Sequence, residues 1–298
     1  MPSTRDIRRR IKSVKNTAQI TRAMQMVAAA KMRKAQDQAQ HGRSYAALMN
    51  KVLVSLKDQA EDTGNPFFKE GAGKKDLYLV ITPDKGLCGP MNTNLLRKLF
   101  QETKGIEADF VTIGRKGALA LGRAKKKLLA DFPVKDPASF KEVRVASKYV
   151  QERFLTGDYR SVRVVFTNFI NVVTVVPTIE TLLPIDRVTL GGKRSFEEVS
   201  HITPEEKKEE SPSLIYDFEP SPEAVFDSLL PAYVNNIIYQ MLLESRAAEH
   251  SSRMVAMKNA TDNAKQLIKD LTLEYNKIRQ ASITNELLEI TTAKLALE

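Results

Sequence analysis

The residues best placed by type and spacing to do chemistry form one run, Asp84-Lys85-Gly86-Leu87-Cys88-Gly89. It follows an apolar stretch of strand length and precedes a helical pattern, the place where α/β folds receive phosphates on backbone N–H groups. The run is neither GxGxxG nor GxxxxGK[ST], and Pro90 removes a backbone donor where a phosphate cradle needs one. A structural turn is therefore favoured over a nucleotide loop. Cys88 is the only cysteine. A nucleophilic thiol needs a low pKa and a His or cationic neighbour, and no His is near in sequence, so a half-exposed structural Cys is expected. Asp84 and Lys85 read as a turn-stabilising pair rather than an acid and a base. His41, His201 and His250 lie far apart, and one Cys makes no CxxC, so no metal site is expected.

Other polar candidates sit near the C-terminus: Arg253, Gln280, Ser282 and Thr284, on a helical pattern where they read equally as solvated surface. Met24, Met26 and Met32 near the N-terminus are favoured as gap-filling core residues, since Met adapts to irregular packing. The net charge of +10 is concentrated, because residues 1–60 carry 13 basic and 3 acidic side chains and so account for the whole surplus. Such a cluster suits phosphates, an anionic surface or an acidic protein. Tyr45 is the only aromatic in that stretch, which counts against nucleic acid but leaves a basic major-groove helix open. A lone Cys points to a reducing compartment, and no stretch approaches the roughly 20 apolar residues that span a bilayer.

Three blocks must position these residues. Between Ser3 and Thr63 the only Gly or Pro is Gly42, and from Ala232 to Glu298 there is none for 67 residues. At 1.5 Å per residue that last run allows a helix on the order of 100 Å, too long for a compact domain to enclose. A heptad runs through Ile7, Ile11, Val14, Ala18, Thr21, Gln25, Ala28, Met32, Ala35 and Ala39 to Leu53, Leu56 and Ala60. Leu230, Val234, Ile237, Met241, Ser245 and Ala248 form a matching stripe, which then drifts through Ala260, Ala264, Leu267, Leu271, Tyr275 and Ile278. These spacings predict an antiparallel coiled coil with an unequal overhang.

Between the helices, 77–82 and 110–113 read as strands, 92–103 and 116–128 as helices, then helix 139–154, strand 162–167 and a β-branched run at 172–176. The expected fold class is α/β: a long antiparallel coiled coil of N- and C-terminal helices with an inserted, Rossmann-like domain whose sheet is largely parallel. The expected divisions are a coiled-coil helix at 1–63, the α/β domain at 76–190, an acidic, Pro-containing connection at 191–222 and a coiled-coil helix at 223–298.

Four stretches carry a resemblance to the gamma subunit of F-type ATP synthases. Ile7 to Gln36 (IRRRIKSVKNTAQITRAMQMVAAAKMRKAQ) is similar to that family's first helix, and Gly86 to Gly89 with Asn92 resembles its GLCGxxN loop. Arg253 to Asn263 (RMVAMKNATDN) and Tyr275 to Glu286 (YNKIRQASITNE) are similar to its C-terminal signature helix. The resemblance implies a non-catalytic shaft that needs no cofactor and turns inside a ring of alpha and beta subunits, with an epsilon subunit alongside and a foot on the c ring. It implies contacts to beta from Met24, Arg253, Gln280 and Thr284, and to the c ring from Tyr216, Phe218 and Glu219. It further implies a peripheral protein at the cytoplasmic face of a bacterial inner membrane, since the match starts near Met1 and leaves no room for a transit peptide.

Two residues depart from the family's pattern: Pro90 stands where Gly or Ala is common, and Val175 where Gln is usual. The acidic stretch 195–212 is expanded, and the two-Cys regulatory insert of the chloroplast form is absent. The alternatives are a basic coiled-coil module that binds nucleic acid and a nucleotide-dependent α/β enzyme that uses the Gly86 loop.

Overall fold

The computed structural model of the chain describes the backbone of residues 3–59, 65–186, 219 and 221–297. Side chains are described there except at 43–47, 50–51, 54–55, 57–59, 222–223 and 295–297. Helix α1 covers Thr4–Gln59 and helix α5 Pro222–Leu297. Between them come β1 (Lys75–Ile81), α2 (Met91–Glu102), β2 (Ala108–Ile113), α3 (Arg115–Arg123), β3 (Leu128–Phe132), α4 (Phe140–Leu155), β4 (Tyr159–Phe169) and β5 (Val175–Leu183). The chain forms two compact units, Ala29–Arg253 and Met1–Ala28 with Met254–Glu298, and each holds part of both long helices.

In the larger unit the strands lie in the order β3-β2-β1-β4-β5. The first four are parallel and β5 is antiparallel to β4. Alternation along β1 explains its continuous apolar text. Leu77, Leu79 and Ile81 join a core shared with α4, α1 and α5, while Tyr78 and Val80 face Leu95, Leu99 and Leu121 of α2 and α3. A parallel strand covered on both faces has no polar side to show in its sequence. At the foot of the sheet, buried Asp76 is held by two bonds from Arg160, at 3.2 and 2.9 Å, and one from Ser161 at 2.9 Å.

Two elements differ from the sequence expectation. The helix read over 116–128 stops at Arg123, and Leu128 opens a strand. Lys125 takes a left-handed φ of 52°, and its neighbour's N–H closes on the Leu121 carbonyl at 3.0 Å. This helix stop is one usually made by Gly, and with Lys in the position the text gives no sign of it. The β-branched run 172–176 is mostly a turn. The Asn171 carboxamide oxygen accepts from the N–H groups of Val173 (2.9 Å) and Thr174 (2.7 Å), so strand propensity loses to an Asx turn and the strand starts at Val175. Pro231 lies inside α5, which begins nine residues earlier at Pro222, next to the expected start at 223. Its ring removes the N–H that would bond the Asp227 carbonyl and crowds that carbonyl.

In the smaller unit, α1 and α5 meet along one seam. Ile7, Thr21 and Ala28 are buried on α1, and Met257, Thr261, Ala264 and Leu271 on α5. Ile268, Tyr275 and Ile278 are half-buried, so the α5 seam alternates spacings of four and three from Met257 onward. Leu267, expected in that seam, is 47% exposed. A polar contact overrides its hydrophobicity: the hydroxyls of Thr21 and Thr261 meet at 2.7 Å, and that pair sets the register. The 17 residues of α1 before Thr21 cover the 17 of α5 after Thr261, as far as Ile278, so the helices run antiparallel, and every described side chain from 279 to 294 is exposed.

Gly114 enters α3 at φ 103°, and a Cβ there would collide with the Thr82 carbonyl oxygen. Gly114→Ala is expected to destabilise the larger unit by about 2 kcal/mol or more, read as a lower urea midpoint with an unchanged slope.

Candidate functional site

In a doubly wound sheet, ligands bind outside the carboxyl ends of the strands where the strand order reverses. Here that point lies between β1 and β4, above the Gly86 loop and the β4–β5 turn, and the chain's own helix fills it. All residues of α5 from 240 to 251 are buried. Ala248 packs with Cys88 and Met91, and Phe169 and Val175 flank that cluster. The Ser251 hydroxyl donates to the Val172 carbonyl at 2.6 Å. Arg253 donates to the Gly86 carbonyl from Nε and Nη2, both at 3.2 Å, and to the Lys85 carbonyl at 3.3 Å.

The loop's other groups are also used internally. Asp84 does not pair with Lys85 as expected; its Oδ1 accepts the Arg115 N–H at 3.0 Å and so caps the start of α3. A carboxylate at a helix N-terminus takes the place an incoming phosphate would need. Cys88 is 1% exposed, not half-exposed, because Ala248 and Met91 close over it. Burial pushes its thiol pKa up, with the Arg253 charge opposing less strongly. A buried, protonated thiol is a poor nucleophile.

Beneath Arg253 lies an ionic network that the sequence reading missed. Glu249, buried, accepts from Arg246 at 3.0 Å and from Arg253 at 2.8 Å. Arg246 also donates to the Val134 carbonyl at 2.9 Å. His250 stands 3.4 Å from both Arg253 Nη1 and Asp136 Oδ2, and Lys31 of α1 donates to the same Asp136 oxygen at 2.7 Å. Two guanidinium groups therefore share one carboxylate, and both are also bonded to the loops at Gly86 and Val134. The side chains of His250 and Lys31 hold the Asp136 carboxyl well below its ordinary pKa, the His250 contact being the stronger cause. Glu244, Arg246, Glu249 and His250 fall off the apolar stripe, so the stripe gives no sign of their burial. The available signal was opposite charges at spacings of three and four following the apolar run IIYQMLL.

Of the residues named for partner contact, Met24, Gln280 and Thr284 belong to the smaller unit and Arg253 to the larger. Met24 is half-buried on α1, between the seam residues Thr21 and Ala28. Gln280 and Thr284 are exposed on α5, with the Thr284 hydroxyl on the Gln280 carbonyl at 3.0 Å. Gln280 lies 19 residues beyond Thr261, roughly 28 Å along the helix, so it stands at a different level from Met24. Ser282 and Met26 are exposed and Met32 is buried. The Arg253 side chain is only 11% exposed, with all three guanidinium nitrogens engaged. Glu219 is exposed, whereas Tyr216, Phe218 and the acidic stretch 195–212 lie outside the described residues.

Glu249→Ala leaves Arg246 and Arg253 without their shared carboxylate and is expected to cost about 3–5 kcal/mol, measured by urea unfolding. The depressed pKa of Asp136 means that its contribution is present at neutral pH and lost as the pH falls below roughly 4, where the unfolded chain takes up the proton more readily. Asp136→Asn should therefore flatten the acid limb of a plot of urea midpoint against pH.

A family model described as ATP synthase matches residues 3–297. The ATP synthase gamma chain of Opitutus terrae is 47% identical over 300 residues, covering 99% of both chains. That of Akkermansia muciniphila is 45% identical over 298 residues, covering 100% of both. Among solved structures, a chain of the Tetrahymena thermophila mitochondrial ATP synthase central stalk and c ring matches with a TM-score of 0.59 at 26% identity, over 81% of this chain and 99% of that one. A chain of the Euglena gracilis mitochondrial ATP synthase shares the fold, with a TM-score of 0.66 at 20% identity, over 99% of this chain and 94% of that one. With a five-stranded, mostly parallel sheet set between two long helices and full-length identity approaching one half, the chain belongs to the ATP synthase gamma-chain family.

Proposed function

We propose that the chain is the rotating central-stalk subunit of an F-type ATP synthase. In this role it is non-catalytic, and it couples proton flow through a c ring to ATP synthesis or hydrolysis on beta subunits. The observation that carries this reading is the uneven surface of the smaller unit. Seven basic side chains lie exposed along α1 from Arg5 to Arg22 against one acidic residue, Asp6, while α5 continues unpaired beyond Ile278. Opposite charges attract without demanding one docking geometry, so a basic face suits an acidic partner loop that it must meet, leave and meet again. The filled crevice at the Gly86 loop supports a mechanical rather than a nucleotide-binding use of the α/β fold.

Rotation acts on a ring of alpha and beta subunits by presenting a different face to each beta in turn. A contact shifts a conformational equilibrium only by its differential affinity for the two states. Driving a site from 1:99 to 99:1 takes about 5.5 kcal/mol, which a helix pair with the same contacts all round would not supply. Met24 on the α1 side and Gln280 with Thr284 on the unpaired part of α5 are the proposed contacts to beta. Arg253 reaches the same subunits only through its exposed edge, held in place by Glu249 and the Gly86 carbonyl. Tyr216, Phe218 and Glu219 are proposed to meet the c ring, with epsilon alongside. No helix among the described residues is long and apolar enough to cross a membrane, so attachment to the cytoplasmic face of a bacterial inner membrane would run through these partners.

The test is the assembled complex carrying Gln280→Ala with Thr284→Ala. Both side chains are exposed, so assembly should be normal while rotational torque and coupled ATP synthesis fall severalfold, measured by single-molecule rotation and a proton-driven synthesis assay. Unchanged torque would remove these residues from the coupling contact, and a chain that fails to co-purify with alpha and beta subunits would remove the rotor reading itself.

A further inference from the structure

A cavity of about 200 Å³ opens in the larger unit beside the ionic network, lined by Lys31, Lys34 and Gln38 of α1, Asp136 of the loop before α4, and Leu243 and Arg246 of α5. Its charge is lopsided: three cationic side chains line it with one carboxylate. Asp136 is already covered by Lys31 at 2.7 Å and faced by His250 at 3.4 Å. Behind the wall, Glu249 takes only Nη1 of Arg246, and the Val134 carbonyl takes Nη2. Of the five N–H donors of that buried guanidinium, the one on Nε has no acceptor among the described residues. A buried donor on a charged group without an acceptor is uncommon and marks a place where an acceptor belongs. Lys34, on the exposed side of α1, makes no hydrogen bond or ion pair among the described residues.

We infer that this cavity is a binding site for a small tetrahedral oxyanion, inorganic phosphate in a cell, held between Lys31 and Lys34 of α1 and Arg246 of α5. The volume sets the size class. It lies below the roughly 300–1,000 Å³ of pockets for drug-sized ligands, so a nucleotide does not fit, whereas phosphate with a few waters does. The donor types agree with that choice, since a guanidinium offers directional N–H groups to an oxyanion and ammonium groups add unoriented charge. Occupancy would bridge the two long helices across the cavity and stabilise the larger unit in proportion to ligand concentration.

The experiment is isothermal titration of the full chain with sodium phosphate at constant ionic strength, alongside thermal unfolding in phosphate and in sodium chloride of equal ionic strength. Saturable one-to-one binding is expected, with an unfolding midpoint that rises in phosphate but not in chloride, and with sulfate as a competitor. Lys34→Gln, at an exposed position, should keep the ligand-free midpoint and weaken phosphate binding about tenfold. Arg144→Gln, an exposed charge on α4, should leave it unchanged. The site is overturned if phosphate does no more than chloride, if Lys34→Gln binds as tightly as the parent chain, or if ATP binds in the same place more tightly than phosphate.

Discussion

The larger unit depends on one buried carboxylate. Among the described residues, Glu249 carries the only negative charge that both Arg246 and Arg253 reach, and those two guanidinium groups hold α5 to the Val134 and Gly86 carbonyls. A buried ion pair repays its desolvation only when its remaining donors are also satisfied, and here backbone carbonyls from two loops supply most of that. The arrangement stabilises less through raw Coulomb energy than through specificity. It gives a long helix a single rotational and axial setting against the sheet.

That setting decides what the α/β fold is used for. Strand order and parallel pairing produce the same crevice that serves nucleotides elsewhere, and the loop before α2 even retains the glycines of a tight approach. With Ala248, Ser251 and Arg253 seated there, the crevice becomes a socket for a helix. Fold alone would have suggested ligand chemistry, and only the side chains in the crevice say otherwise.

Much of this was legible in the text because it depends on periodicity. The α1 heptad from Ile7 to Leu56 reproduces the buried positions wherever they are described, and the buried strands β1, β2 and β4 declare themselves as apolar runs. What stayed hidden depends on exceptions to residue type. Lys125 ends a helix as a glycine would, Asn171 turns a valine-rich run away from strand, and Thr261 rather than Leu267 holds the seam. The ionic network was invisible for a related reason. Charges on a helix are read as solvated unless something shows that the helix is covered on every side, and that covering comes from loops distant in sequence. The partner-contact residues were legible only through family resemblance, since Gln280 and Thr284 look like any exposed helical surface.

The threonine pair in the smaller unit bears on slippage. Two helices joined by a heptad seam can in principle slide by seven residues and find an equivalent fit, and an axial or twisting force favours such a slide. A shift of that size would bring Thr21 opposite Ile268 or Met254 instead of Thr261, forfeiting a buried hydroxyl–hydroxyl bond worth about 1 kcal/mol and setting a hydroxyl against an apolar side chain. A single polar tooth in an apolar seam thus turns a family of near-equal alignments into one, so that twist applied at one end of the pair reaches the other without lost motion.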